Sequence, residues 1–173
     1  MIGSIKEPRK KPKHKKLPKR YKLSVERKEA LHELQRYKVE KTMTPNGFNR
    51  CVTCGCITDI AQGGHYIGRE CRATELEEDN INPQCPSCNY YGKGGGAGEQ
   101  LLHGKWIAEN LGLETKQRLD DMFFAWKGSD EAFERLSPED QYKVTHQKTA
   151  DEYHEIRMKY KQLRKQLKMD RGW

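Results

Sequence analysis

The sequence predicts a small domain stapled at its centre and flanked by amphipathic helices, and three observations predict it. Hydrophobic residues make up 34% of the 173-residue chain and charged residues another 34%, too few apolar groups for a large core. Cysteines fall into two well-separated C-x-x-C pairs, Cys51–Cys54 and Cys85–Cys88. Helical spacing of apolar residues occurs on both sides of that stretch and not within it.

Residues 1–22, rich in Lys, Arg and Pro, are expected to form a disordered basic arm, because like charges repel and proline disfavours regular structure. The whole chain carries a net charge of +8. Such a surplus points to a polyanionic partner, since each cation near a phosphate releases condensed counterions. The sequence has neither an apolar run of membrane-spanning length nor a signal-peptide pattern. The expectation is a soluble, cytoplasmic protein without membrane contact. In a reducing compartment the six cysteines would not form disulfides.

Residues 23–47 read as an exposed helix to about residue 41, followed by a turn. Ser24 is the expected N-cap, and Val25, Leu31, Leu34 and Val39 form a loose apolar face. Thr44-Pro45-Asn46-Gly47 then turns the chain. Residues 48–98 are the chemical centre, dense in Cys, Gly, Asn and His, and close with the flexible stretch Gly92–Gly98. Residues 99–173 are a helical region. Leu101, Leu102, Trp106, Ile107 and Leu111 mark one face, Gly112 breaks it, and Leu119, Met122, Phe123 and Trp126 begin another. Ser137 with Pro138 signals a capped helix start. Residues 149–169 form a charged helix with Tyr153, Ile156, Tyr160, Leu163 and Leu167 on one side.

Each C-x-x-C pair can offer two thiolates to one metal from a tight turn. Cys51, Cys54, Cys85 and Cys88 together supply the tetrahedral sulfur shell that structural zinc prefers. A redox dithiol would need a surrounding βαβ pattern, which is missing. Cys56 and Cys71 remain as small, partly buried residues, although Cys56 lies close enough to compete as a ligand.

Between the two pairs stands Gly63-Gly64-His65-Tyr66; Asn80-Ile81-Asn82-Pro83-Gln84 precedes the second, and Asn89 follows it. This order resembles the HNH, or His-Me finger, nucleases. It is most similar to the phage NinG/Rap recombination nucleases, in which C-x-x-C-G, a Gly-His-aromatic step, an Arg-rich stretch and Asn-Ile-x-x-Gln-Cys-x-x-Cys-Asn follow one another. The likeness covers residues 51–93. It implies an α+β fold: a zinc-bound ββα-metal core with flanking α-helices. It implies a metal-dependent DNA endonuclease acting on branched recombination intermediates such as Holliday junctions or D-loops.

The residue types suit that chemistry. Phosphodiester hydrolysis needs an activated water and charge relief at the leaving oxygen. A neutral imidazole near pH 7 can take the proton of water, so His65 is the expected general base. The resemblance implies that Asn89 offers an amide oxygen to a catalytic Mg or Mn ion, and that Asn80 pins the loop carrying the histidine. Family members carry an acid or a second His just before the base, where this chain has Gly64. The remaining cation ligand is therefore open among Asp59, Glu70, Glu99 and His103, with His103 on the helix side of the finger. Arg69 and Arg72 are candidate phosphate clamps. Lys93, in a glycine-rich loop that lacks the P-loop order, is a candidate DNA contact, as is the basic arm. The tail helices would mediate homodimerisation, and a recombination protein is a further candidate partner. Two other functions compete: an HNH nicking or homing-type endonuclease on duplex DNA, and a non-catalytic zinc-finger DNA-binding protein.

Overall fold

The structure is a computed structural model that describes residues 21–90 and 97–173; the arm at 1–20, the loop around Lys93 and the side chain of Glu99 lie outside the described residues. The fold is small and α+β, with seven α-helices and two two-stranded antiparallel sheets among the described residues. In chain order these are α1 (Leu23–Thr42), β1 (Asn49–Arg50), β2 (Ile57–Thr58), β3 (Gln62–His65), β4 (Ile81–Gln84), α2 (Pro86–Asn89), α3 (Ala97–Asn110), α4 (Leu113–Trp126), α5 (Asp130–Arg135), α6 (Pro138–Thr145) and α7 (Ala150–Arg171). Among the described residues no helix is long and apolar enough to cross a membrane.

The helix α1 differs from the exposed helix expected of it. It starts one residue before Ser24, with Lys22 at the N-cap and no side-chain cap. Leu31 and Leu34 are buried as expected, but Val25 is exposed, and Glu26, Ala30 and Lys38 are buried instead. Charge pairing with α7 explains the buried Glu26. α1 lies against α7, and Arg164 bonds Glu33 at 2.7 Å and Glu40 at 2.6 Å, while Arg157 bonds Glu26 at 3.0 Å. Partners rise together along both helices, so the two run parallel. At the end, the Arg171 guanidinium donates to the carbonyls of Glu40, Lys41 and Met43, which the helix leaves without internal partners. A helix held through charges carries no apolar stripe to read.

The C-terminal helices follow their local signals more closely. Gly112, at φ +103°, separates α3 from α4 in a conformation that side-chain-bearing residues rarely adopt. Ser137 caps α6 through the Asp140 amide, and Pro138 opens it. Thr149 and Glu152 form a reciprocal capping box at the start of α7. One expectation fails: Leu101 and Leu102 are exposed, and α3 packs instead through Ile107 and Trp106, with Leu111 just beyond its end.

Two apolar clusters hold the domain. One joins Tyr66, Ile67, Cys71 and Ala73 to Ile107, Leu119, Met122, Ala132 and Leu136 of the C-terminal helices. The other places Ile81 of β4 between Leu34 of α1 and Tyr160 of α7. The β3–β4 hairpin stands between them, with Gln62 opposite Gln84, Gly63 opposite Pro83, Gly64 opposite Asn82 and His65 opposite Ile81. Gly63 is required by its neighbour. A β-carbon there would lie 2.8 Å from the Cβ of Gln35, so the backbone of α1 can rest directly on the strand. Gln35 Nε2 fixes that approach by donating to the Gly63 carbonyl at 2.8 Å.

Candidate active site and metal centre

The β1–β2 hairpin and the short helix α2 bring the cysteines together. Residues 51–56 form the hairpin loop, where Gly55 takes φ +74° and the Cys51 amide donates to the Cys56 carbonyl at 2.8 Å. The second pair turns through α2, with the amides of Cys88 and Asn89 both donating to the Cys85 carbonyl. Across this junction Cys54 Sγ and Cys85 Sγ stand 3.8 Å apart.

The sulfurs of Cys51, Cys54, Cys56 and Cys85 all lie within 4.8 Å of one another and could hold a metal ion such as zinc. This corrects the reading of Cys56 as a left-over residue. The loop closed by Gly55 returns Cys56 directly opposite Cys51, so its sulfur joins the cluster. Cys88 stands at the edge of the same group, and its thiol is pushed up by burial and by the thiols of Cys85, Cys54 and Cys51. Cys54 is drawn down to about 6, mainly by the backbone amide of Cys56. The Cys56 thiol is pushed up to about 12, first by the Cys54 sulfur. So many thiolates cannot coexist at this spacing unless a cation balances them, which is the chemistry of a thiolate metal site. Cys71 is apart from this group, fully buried in the apolar cluster under α3 and α4.

His65, at the end of β3, lines a cleft of about 300 Å³ with Gln35, Gly68, Arg69, Glu70 and Asn89. Its Nε2–H donates to the Glu75 carbonyl at 3.1 Å, which leaves Nδ1 as the acceptor of the ring. Burial holds the imidazole well below its usual range, to about 4, and the Arg69 charge pushes the same way. The ring is neutral at pH 7.

Asn80 is completely buried and braces the loop that follows the histidine. Its Oδ1 accepts from the Ile67 amide at 2.7 Å, and its Nδ2 donates to the carbonyls of Ile67 and Thr74. Asn89 donates through Nδ2 to Gln62 Oε1 at 2.7 Å, and its own Oδ1 faces the backbone of Gly64.

The other candidates scatter. Glu70 shares the cleft with His65, whereas Asp59 is exposed beyond β2. Arg69 lines the cleft, but Arg72 points toward Tyr153 and lies 3.8 Å from Glu75. His103 is 1% exposed, packs edge-on to Tyr66, and accepts from Asn82 Nδ2 at 3.2 Å. It does not line the cleft.

Glu75 is a site residue that sequence reasoning missed. Its carbonyl orients His65, and its fully buried carboxylate accepts from Arg27 of α1 at 2.8 Å and from the Tyr153 hydroxyl of α7 at 2.5 Å. Both ends of the chain thus grip the segment that aims the imidazole. Nothing in Ala73-Thr74-Glu75-Leu76 distinguishes this acid from a surface charge.

Acid should weaken the fold through the buried histidines. Burial, and next the His65 charge, lower His103 to about 4 from the ordinary histidine value of 6.5. Between those values the unfolded chain binds more protons, so this stabilisation is complete above pH 6.5 and is lost as pH falls toward 4. For His103 the loss amounts to roughly 3 kcal/mol. Urea titrations between pH 4.5 and 6.5 should show it, and His103→Gln should flatten part of the slope. An unchanged slope in that variant would place the acid sensitivity elsewhere.

No protein-family model, curated protein or solved structure matches the chain.

Proposed function

We propose that this chain is a metal-dependent DNA endonuclease of the HNH type, with His65 as general base and the cysteine cluster as a structural zinc site. The observation that carries the reading is the state of His65. It is a neutral imidazole, tethered through Nε2 to a backbone carbonyl, in a cleft beside Asn89 and Arg69. A hairpin bearing that histidine, followed by a short helix bearing Asn89, also suits the ββα arrangement that the resemblance implies.

Nδ1 of His65 accepts a proton from a water molecule, whose oxygen forms a bond to phosphorus as the bond to the 3′ oxygen breaks. The departing oxygen takes its proton from solvent. Arg69 meets the phosphate with a delocalised charge suited to its oxygens. A divalent ion, Mg or Mn, supplies charge relief at the phosphate and the leaving oxygen when bound. The residues fit such an ion: with its amide nitrogen engaged by Gln62, Asn89 has its Oδ1 free to serve as a hard oxygen ligand. His103, closed off by Asn82 and Tyr66, serves packing in this scheme.

The preference for branched recombination intermediates rests on the likeness to the NinG/Rap nucleases. So does a recombination-protein partner, whereas a homodimer cutting two strands rests on the tail helices. Net positive charge supports a nucleic-acid substrate more generally. Purified protein with Mg²⁺ or Mn²⁺ should cut a four-way junction faster than a linear duplex of the same sequence. Equal rates would discard the branched substrate and favour a nicking or homing-type enzyme. Binding without any cutting would favour a zinc-finger DNA-binding module.

A further inference from the structure

We infer that Gln84 is the second protein ligand of the catalytic cation, its side-chain oxygen filling the place that the residue before the histidine leaves open. The inference rests on the nuclease reading above and names part of the same site.

A β-carbon on Gly64 would overlap Gln84 Oε1, and would stand 2.9 Å from Asn89 Oδ1. Two amide oxygens therefore crowd one point beside the strand that carries His65. Both are aimed there by their own nitrogens. Gln84 Nε2 donates to Thr53 Oγ1 at 2.6 Å, and Asn89 Nδ2 donates to Gln62 Oε1 at 2.7 Å. Gln84 is 5% exposed, and with its Nε2 engaged by Thr53 its Oε1 is turned toward Gly64.

The chemistry of the donors selects the class of ion. Neutral amide oxygens are hard ligands suited to Mg²⁺ or Mn²⁺, which keep several waters and need only one or two protein groups. Two ligands of one octahedral ion with bonds of about 2.1 Å stand roughly 3–4 Å apart, a spacing within reach of two oxygens that share a carbon-sized point. Uncharged ligands also leave the full charge of the ion for the phosphate.

The mounting is equally informative. Gln84 immediately precedes Cys85, Asn89 immediately follows Cys88, and Thr53 lies between Cys51 and Cys54. The thiol cluster thus sets the position of both oxygens and of the hydroxyl that orients one of them. Gly64 is required because any side chain there would displace Gln84.

The test uses the full-length, zinc-loaded chain without DNA and follows Mn²⁺ binding by electron paramagnetic resonance. Gln84→Ala should weaken Mn²⁺ binding by about tenfold or more, with zinc content and circular dichroism unchanged. Gln84→Glu should tighten it. In the double variant Gly64→Asp/Gln84→Ala the new carboxylate enters the vacated space, and binding should recover to near the wild-type level. Wild-type Mn²⁺ affinity in Gln84→Ala, beside a wild-type protein that binds Mn²⁺ and cuts DNA, would overturn the assignment of Gln84 alone. A wild-type chain that binds no Mn²⁺ would overturn the assignment and the nuclease reading together.

Discussion

His65→Ala is expected to lose DNA cleavage by roughly 10²- to 10⁴-fold while keeping its zinc, its helical content and its affinity for DNA. The loss follows from the ring's geometry. Its Nε2 is engaged by the Glu75 carbonyl, so Nδ1 is the one nitrogen able to take a proton from water. Asn89, Gln35 and Arg69 of the same cleft are not bases. The fold should survive, because the substitution removes one hydrogen bond and leaves one carbonyl unpaired, a cost of about 1–3 kcal/mol. The wild-type pH profile gives a second check. With the base near 4, cleavage should stay flat from neutral pH down to about 5, where an ordinary histidine would already be protonated. Undiminished cleavage by the purified variant, with wild-type metal content, would remove His65 from the chemistry.

The second large effect concerns the cysteines. Cys85→Ser, or removal of metal by a strong chelator, should unfold the central region between β1 and α2. A structural zinc contributes apparent binding energies of about 10–16 kcal/mol in small domains, comparable to the whole stability of a typical protein. Here it would replace apolar packing that the segment lacks. The strands β1 and β2 have two residues each, and Ile57 and Ile60 beside them are exposed. Circular dichroism melting and zinc content measured together should show loss of both. Cys56→Ser and Cys88→Ser should be milder, since Cys85 is buried at the centre of the cluster, 3.8 Å from Cys54, whereas Cys56 is exposed and Cys88 only half-buried at its edge. A melting curve for Cys85→Ser that matches the wild type would exclude a stabilising metal at this cluster.

Much of the site was legible in the sequence because its signals are local. Two C-x-x-C pairs announce a thiolate site by spacing alone, and His65 and Asn89 stand out by their place beside them. Helix punctuation was equally plain at Gly112 and at Ser137-Pro138, where a residue or two suffices to start or stop a helix. The hairpin β3–β4 was less so. Gln-Gly-Gly-His and Ile-Asn-Pro-Gln contain little that favours a strand, and their pairing follows from contacts on either side.

What the chain order alone established is the inventory: a basic protein, two pairs of closely spaced thiols, a histidine placed between them, and helices beyond. Tertiary structure settled which groups meet. It brought Cys56 into the sulfur cluster, set Glu75 behind the imidazole, turned Gln84 toward Gly64, closed His103 away and joined α1 to α7 through charge. The physical reason is common to all five. A buried acid, amide or ring looks like any surface polar residue until its partner arrives from a distant segment, and only folding supplies that partner.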